Sequence, residues 1–359
     1  MSIDTLPPGH PLLDGRTGTS ALIRAMRGER TERRPIWFMR QAGRSLPEYR
    51  SLRAGTAMLD ACLTPETAAE ITLQPVRRHQ VDAAVLFSDI VVPLKLAGID
   101  VEIVPGTGPV VAEPIRHRDQ LAALPKLDPA ALAPIEQAVA GCVAELGSVP
   151  LVGFAGAPFT VASYLVEGGP SKDHLRTKAM MLGDPESWAI LASWVAVLTS
   201  MFLRAQVLAG ASAVQLFDSW AGHLSLAQYR AGAAPHSARV FAAVADLPVP
   251  RVHFGVGTSE LLPDMLAAGA DVIGVDHRIP LDQASQRLGG TVPLQGNIDP
   301  ALLFAGEQAL HSHVREVLRA GQAAPGHVVN LGHGVPPDTD PDVLTRLVGF
   351  VHDQVDPAA

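Results

Sequence analysis

The chain has 359 residues, of which 47% are hydrophobic and 18% are charged, and its mean hydropathy is positive. This length and composition suit a globular protein with a large core, built as one large α/β domain or as two smaller ones. The formal net charge of −8 argues against a nucleic-acid partner, so any anion site must be a local group of cations.

Two cysteines, Cys62 and Cys142, stand without a Cys-x-x-Cys motif. This argues against disulfides and against a cysteine-rich zinc site, and it suits a reducing compartment. The first residues lack the basic and then apolar pattern of a signal peptide, and no uninterrupted apolar run approaches the ~20 residues of a membrane span. We therefore expect a soluble, cytoplasmic protein without a membrane partner.

Residues 1–20 are rich in glycine, proline and hydroxyl side chains and are predicted to form a flexible N-terminal arm. Beyond them, apolar runs of strand length alternate with segments of helical periodicity. The strand-like runs lie at 35–39, 83–88, 150–155, 213–219, 251–256, 271–276, 292–297 and 327–333. Most are continuously apolar, as expected of parallel strands buried on both faces. Helical periodicity is clearest at 187–210 and shorter at 258–270 and 282–290.

This alternation predicts a single-domain (β/α)₈ TIM barrel over residues 21–355, with an active-site cleft at the C-terminal ends of the strands. A doubly wound open sheet is the alternative. Against it, no GxGxxG motif follows the first strand, and "GTGPVV" at 106–111 is not a Walker loop. Residues 99–115 predict a β-hairpin inserted after the second β/α unit. No tandem repeat or interdomain linker is visible.

Polar residues follow nearly every strand-like run, where a barrel carries its chemistry. They are Arg40, Gln41, Arg44, Ser88, Asp89, Tyr164, Asp218, Ser219, Asp276, His277, Asn297, Asp299, Asn330 and His333. Several have a structural alternative, because Asp and Ser at such junctions often cap helices or form turns. Tyr164 is also consistent with a core position, and His333 with an ordinary loop.

Familiar catalytic motifs are absent from the sequence. It contains no GxSxG elbow, no HExxH and no P-loop, and no lysine ends a strand to form a Schiff base. We call the opening at the C-terminal ends of the strands the mouth of the barrel. Several carboxylates at this mouth could bind a divalent metal, but no compact spacing of acidic residues requires one. The residues alone therefore predict a mouth of arginines, one or two aspartates, a tyrosine and a histidine, and they do not name the reaction.

The stretch "PIWFMRQAGRSLPEYR" (35–50) closely resembles the N-terminal signature of the uroporphyrinogen decarboxylase family. The resemblance continues in "FSDIVVPLKLAGIDVEIVPGTGP", "GFAGAPFTVASYLVEGGPSK", "VQLFDSWAGHLS", "LQGNIDP" and "NLGHGVPPDTDP", and it spans roughly residues 20–352. Departures are minor: Ser45 stands where an aromatic residue is common, and Pro170 replaces a more flexible residue.

The resemblance implies a single-domain barrel, usually a homodimer, that works without a metal or an organic cofactor. Its substrate is uroporphyrinogen III, whose four acetate carboxyls leave as carbon dioxide to give coproporphyrinogen III in haem or chlorophyll biosynthesis. Because a pyrrole acetate leaves an unstabilised carbanion, the adjacent ring carbon must first be protonated. The enzyme must then stabilise a ring cation while it holds many carboxylates.

Residue roles come from the matching positions of the family. Asp89 would bind the inward pyrrole N–H groups and face the growing positive charge. Arg40 is the family's disputed candidate for proton donor, but arginine scarcely deprotonates, which favours electrostatic positioning of a shared proton or water. Tyr164 and His333, counted with Asp89 and Arg40 as catalytic, would hydrogen-bond propionates or the acetate being lost, as would Ser219. The implied substrate-binding set is Arg40, Gln41, Ala42, Gly43, Arg44, Arg53, Asp89, Tyr164, Ser219 and His333.

Two other functions compete with this interpretation. A zinc- and cobalamin-associated methyltransferase of the same superfamily needs soft thiolate ligands, but "HFG" (253–255) carries a glycine and "LGHG" carries His333 where its cysteines would lie. A non-catalytic tetrapyrrole carrier would keep the arginines and would not need Asp89.

Overall fold

A computed structural model describes residues 6–355 of the chain. Its strands are β1 (Ala84–Val85), β2 (Val101–Val104), β3 (Gly108–Val111), β4 (Leu151–Gly156), β5 (Ala213–Asp218), β6 (Arg251–Gly255), β7 (Val272–Gly274), β8 (Leu294–Gln295) and β9 (His327–Val328). Its α-helices are α1 (Ala21–Met26), α2 (Pro47–Leu52), α3 (Met58–Leu63), α4 (Pro65–His79), α5 (Val92–Leu96), α6 (Ala133–Leu146), α7 (Pro158–Glu167), α8 (Leu175–Gly183), α9 (Pro185–Leu208), α10 (Leu226–Gly232), α11 (Ala234–Ala242), α12 (Leu262–Ala267), α13 (Leu281–Arg287), α14 (Glu307–Gly321) and α15 (Pro341–His352).

One curled parallel sheet runs in the order β1-β4-β5-β6-β7-β8-β9, and β2 and β3 form a separate antiparallel hairpin. The strands of the parallel sheet are buried almost throughout, because helices cover one face and the other face lines the interior. The architecture is TIM-barrel-like, and the predicted hairpin insertion is confirmed.

The predicted closed barrel of eight strands is wrong in one respect, since the parallel sheet has seven strands among residues 6–355. The first apolar run, 35–39, forms only an isolated bridge from Ile36 to Val329 of the segment that follows β9. On its other side, Asp82 N–H donates to Ile36 O at 2.8 Å, just before β1. The run therefore occupies the gap between β9 and β1 with too few ladder bonds to count as a strand.

Side chains explain why the ladder stops there. The N–H of Phe38 donates to the side chain of Gln41, and the N–H of Met39 donates to the side chain of Asn330, each at 3.0 Å. Pro35 has no N–H to donate. With these groups unavailable, the first run cannot extend its pairing, and the chain turns into the loop that begins at Arg40.

The interior of the sheet contains a polar layer below an aromatic layer. Gln295 of β8 donates to Gln215 of β5 at 2.8 Å, which requires both side chains to point inward across the sheet. Alternation along β5 then points Phe217 inward as well, nearer the C-terminal end. Phe217 meets Phe154 and Phe254 edge to face, with ring centroids 5.4 and 5.9 Å apart. These three rings form the floor of the mouth.

Two other segments bear on the expectations from sequence. Residues 6–20, expected to be a flexible arm, pack on the body of the protein: His10 bonds Val207 O at 3.0 Å and Thr17 bonds Ser212 at 2.9 Å, both buried. Residues 1–5 of that expectation lie outside the described part of the chain. Among residues 6–355, α9 alone is long and apolar enough to cross a membrane, and more than half of its apolar window is buried.

Candidate active site

Asp89 follows β1 and opens onto the mouth. Its Oδ1 accepts the N–H of Val91 at 3.0 Å, which fixes the carboxylate at the start of the loop to α5. Burial raises the pKa of Asp89, and the hydrogen bond from Val91 and the charge of Arg40 offset this only partly. The side chain is half-buried, so one carboxylate edge remains open to a ligand. Asp89 is therefore a poorly solvated carboxyl group that is not fully enclosed.

Arg40 lies beside Asp89 and adopts an unusual backbone conformation. Its φ of +61° is in the left-handed region, which non-glycine residues rarely occupy and which is common at functional sites. Its side chain passes over Gly334, where a Cβ atom would lie 2.5 Å from Cδ and 2.8 Å from Cγ of the arginine. The guanidinium is exposed, and its charge affects the pKa of Asp89, Tyr164 and His333.

The peptide N–H groups of Ala42, Gly43 and Arg44 form a second polar feature. Within residues 6–355 they have no recorded acceptor, and three successive free donors in a turn make a concavity suited to an anion. Gln41 differs from its neighbours. Its N–H donates to Phe38 O at 3.1 Å, and its buried side chain donates to Ala83 O at 3.0 Å. Gln41 therefore shapes this loop, and its backbone N–H is already engaged within the protein.

Arg44 and Arg53 are the other arginines of the predicted set. Arg44 is exposed, and Arg53 is half-buried over the Tyr49 ring at 5.8 Å while it donates to Thr56 O at 2.9 Å. Arg53 also lies near Cys62, where burial and the charge of Asp89 raise the pKa of the thiol and Arg53 opposes them. The structure thus brings Arg53 to the Asp89 side of the mouth.

Tyr164 of α7 is held by a stack of rings. Its ring packs on Trp220 with centroids 4.1 Å apart, and His174 packs on Trp220 at 4.4 Å and on His223 at 4.7 Å. Burial and the charge of Asp89 raise the pKa of Tyr164 to about 12, so its hydroxyl is a neutral donor. Burial lowers the pKa of His174 to about 4, so that imidazole is neutral in the stack.

We expect Trp220→Leu to lower kcat/KM by up to about tenfold, because an aromatic pair contributes ~0.5–1.5 kcal/mol and leucine cannot hold the Tyr164 ring. Trp220→Phe keeps a stacked ring and should lose much less. Steady-state kinetics of both variants, with circular dichroism to check folding, makes the comparison. Equal activity of the leucine and phenylalanine variants would contradict a role for the stack.

His333 and Ser219 also reach the mouth. His333 follows β9 and is exposed, and the surrounding protein and the charge of Arg40 lower its pKa, which favours the neutral ring. Ser219 follows β5 and is half-buried, and the N–H of its neighbour Trp220 donates to Thr160 Oγ1 at 3.3 Å. Neutral imidazole and hydroxyl groups here can donate to carboxylates without adding charge.

Other polar residues at strand ends have structural partners. Asp218 points away from the interior, accepts Thr160 at 3.0 Å and lies 3.7 Å from buried His253. Asn297 donates to the carbonyls of Asp276 and Ile279 at 2.8 and 2.7 Å, which shapes the loop after β7.

Asp299 caps a short 3₁₀ segment through Ala301 N–H at 2.9 Å. Asn330 accepts from Met39 and Leu331. Ser88 has a buried hydroxyl without a recorded hydrogen bond in residues 6–355, so it does not act as a cap. These residues build the walls of the site.

Trp220, His174 and Phe217 were not selected from the sequence. Trp220 directly follows the Asp218-Ser219 pair. A search for site residues that extended one residue further past the end of this strand-like run would have included it. Phe217 lies inside its own apolar run, where nothing distinguishes a ring at the mouth from a ring in the core. His174 lies far along a loop, and no signal in the sequence places it against Trp220.

Comparisons with known proteins agree with this geometry. The family profile described as "Uroporphyrinogen decarboxylase (URO-D)" matches residues 17–354. The uroporphyrinogen decarboxylase of Arthrobacter sp. (strain FB24) is 64% identical over 340 residues, which covers 95% of this chain and 99% of that protein. The enzyme of the same name from Leifsonia xyli is 60% identical and covers 98% of this chain and 99% of its own length.

A solved structure shares the fold. The structure described as a methyltransferase from Methanosarcina mazei has a TM-score of 0.77 and 19% identity, and the alignment covers 92% of this chain and 97% of that one. At this identity the likeness supports the TIM-barrel-like architecture alone. The sequence matches are far stronger and extend over almost the whole chain, so the chain belongs to the uroporphyrinogen decarboxylase family.

Proposed function

We propose that this protein is a uroporphyrinogen decarboxylase, a carboxy-lyase that converts the four acetate side chains of uroporphyrinogen III into methyl groups. The observation that carries the proposal is the poorly solvated carboxylate of Asp89, which faces a mouth lined by Arg40, Tyr164 and free peptide N–H donors. A cyclic tetrapyrrole has four inward N–H groups and a rim of carboxylates, and this arrangement complements both.

Asp89 interacts with the pyrrole rings of the substrate. The open carboxylate edge accepts pyrrole N–H donors, which replace the water that burial has removed. When a proton adds to the ring carbon next to the one that bears the acetate, the pyrrole becomes cationic and Asp89 stabilises that charge in a site of low dielectric. The bond between the acetate methylene and its carboxylate then breaks, its electron pair flows into the ring, and carbon dioxide leaves. A proton added to the methylene and one lost from the ring carbon give the methyl group.

Arg40 and its loop bind the carboxylates of the substrate. An arginine fork and the N–H groups of residues 42–44 are donors that match carboxylate oxygens. Arginine does not give up its proton at neutral pH, so Arg40 acts by holding the departing carboxylate or a shared water. Tyr164 and His333 add neutral donors, and Arg44, Arg53 and Ser219 extend the contacts along the rim. The roles of these residues are part of the proposal.

The assembly and location are also part of the proposal. We expect a homodimer in the cytoplasm, with residues 21–355 as one catalytic domain that needs no metal or organic cofactor and contacts neither nucleic acid nor membrane. Among residues 6–355, no three His, Cys, Asp or Glu side chains group closely enough to hold a metal ion.

The direct test is anaerobic incubation of purified protein with uroporphyrinogen III, followed by chromatography of the oxidised products. We expect products with seven, six, five and finally four carboxylates. A Lys126→Ala variant should behave as the parent, because Lys126 is exposed and no recorded contact links it to the mouth. Unchanged substrate with eight carboxylates, under conditions that keep it reduced, contradicts the proposal.

Chelation separates this function from a zinc-dependent methyltransferase. His253, the histidine of the "HFG" segment, is buried on the outer face of β6 and bonds Met265 O at 3.2 Å, away from the mouth. We therefore expect dialysis against a chelator to leave decarboxylation unchanged. Loss of activity on dialysis and its recovery with zinc would require a metal-dependent mechanism.

A further inference from the structure

The loop that follows β7 carries a cation that the function above does not use. In the sheet order β1-β4-β5-β6-β7, β7 is the fourth strand from β1, so this loop lies across the curled sheet from Asp89. It contains Asp276, His277 and Arg278. Arg40, Arg44 and Arg53, in contrast, all lie on the Asp89 side.

Asp276 holds this loop in place. Its carboxylate is 2% exposed and accepts Gly257 N–H at 2.6 Å, Arg278 N–H at 3.2 Å and Arg278 Nη1 at 2.6 Å. The Arg278 side chain is nevertheless 53% exposed. Within residues 6–355 its recorded hydrogen bonds use Nη1 only, so Nε and Nη2 remain available as donors.

Neighbouring loops show which way Arg278 faces. Gly332, after β9, packs so closely on the backbone of His277 that a Cβ atom would have no room. This contact brings the loop after β7 beside His333. The charge of Arg278 reaches both His333 and His223, the latter in the loop after β5. Arg278 is therefore near enough to both histidines for its charge to affect their pKa, and its Nη1 lies 3.6 Å from where a Cβ atom of Gly257, after β6, would be.

Two cations, Lys178 and Arg278, and two carboxylates, Asp173 and Asp276, carry the charge on this side. Lys178 and Arg278 both act on His223, and burial together with these cations lowers its pKa, while exposed Asp173 opposes them. Asp276 is already engaged by hydrogen bonds. The rim opposite Arg40 thus offers a guanidinium edge and imidazoles for an anion that reaches across the mouth.

We propose that Arg278, with His277 and His223 beside it, binds side-chain carboxylates of the tetrapyrrole on the rim opposite Arg40 and Arg44. The inference rests on the proposed function and deepens it. A macrocycle with eight carboxylates around its edge presents several of them away from the Arg40 loop, and Arg278 supplies planar donors for that edge. Arg278 is then a specificity-determining residue that favours substrates retaining those carboxylates.

The test compares Arg278→Gln with Arg230→Gln. Arg230 of α10 pairs with Asp264 of α12 at 2.6 Å, and its side chain is 60% exposed. It therefore provides an Arg–Asp ion pair similar to that of Arg278 and Asp276, but on the outer helices. We expect Arg278→Gln to raise KM for uroporphyrinogen about tenfold with kcat within about twofold, the pattern of lost uniform binding. Arg278→Lys should recover part of the affinity, and Arg230→Gln should match the parent.

Two results overturn the inference. One is an unchanged KM in Arg278→Gln. The other is a joint fall in thermal stability and kcat at constant KM, which would mean that Arg278 only braces Asp276.

Binding without turnover separates this inference from the proposed function. Uroporphyrin, the oxidised octacarboxylate, can be titrated against the parent and both variants by quenching of tryptophan fluorescence. Weaker binding by Arg278→Gln alone supports the inference even if the parent fails to decarboxylate uroporphyrinogen. Equal binding by all three proteins overturns it even if the parent is fully active.

Discussion

Asp89→Asn is expected to fold and to lose at least ~10²-fold in kcat, the usual cost of removing a preorganised electrostatic partner. The amide keeps the size of the carboxylate but removes the negative charge that compensates the protonated pyrrole. It also turns one acceptor edge into a donor that repels pyrrole N–H groups. The loss should therefore appear mainly in kcat, because the ring cation forms only during the reaction.

Asp128→Asn is the matched control. Its carboxylate also accepts the N–H two residues ahead, from Ala130 at 2.9 Å, but it is exposed and belongs to a 3₁₀ segment without a recorded contact to the mouth. We expect activity within twofold of the parent. If Asp89→Asn turned over uroporphyrinogen at a near-normal rate, Asp89 could not be the residue that faces the ring cation.

The same substitution, Asp89→Asn, should not lower the thermal stability of the protein. Because burial raises the pKa of Asp89, its contribution to stability is complete below the ordinary carboxyl pKa and is lost as pH rises through the raised value. At neutral pH the ionised group disfavours the folded state, so Asp89→Asn should melt no lower than the parent. Thermal unfolding at pH 7 in the absence of ligand tests this, and a much lower midpoint would mean that Asp89 is structural.

The pH profile follows from the same shift. Protonated Asp89 cannot stabilise a cation. The fall of kcat/KM at low pH should therefore occur at a higher pH than the range in which an ordinary carboxyl group titrates. The Asp128→Asn control should keep that pH dependence unchanged.

Gly334→Ala is expected to lower kcat/KM on the order of 10–10²-fold, although the residue touches no substrate in the proposed mechanism. A methyl group there would collide with Cδ and Cγ of Arg40. The arginine side chain is flexible and exposed, so it should move away and the protein should still fold. Small displacements of a positioning group have effects of this size.

Arg40 itself provides the internal check. If Gly334→Ala acts through Arg40, it should add little to an Arg40→Ala variant, and the double-mutant cycle should show strong coupling. Gly349→Ala is the control, because Gly349 is exposed in α15 and has open space where a Cβ atom would lie. Additive effects of the Gly334 and Arg40 substitutions would contradict this account.

Much of the architecture could be predicted from the sequence. Continuous apolar runs separated by helical segments identified each strand of the parallel sheet, and the hairpin of β2 and β3 lies inside its predicted span. The exception is the run at 35–39, where the side chains of Gln41 and Asn330 take the N–H groups that a strand would donate. The Gln41 contact is local, but Asn330 lies almost 300 positions from Met39, and no local pattern reveals that bond.

The sequence by itself determined the family, the parallel α/β fold and the gathering of polar residues at strand ends, because apolar periodicity and local motifs are written into neighbouring residues. Only the tertiary structure decided which of those residues face the mouth. Side chains alternate between the two faces of a strand, so Phe217 lies in the mouth while adjacent Asp218 turns outward to Thr160. Contacts such as Tyr164 on Trp220 or Arg40 over Gly334 join distant segments, and they exist only once the chain has packed.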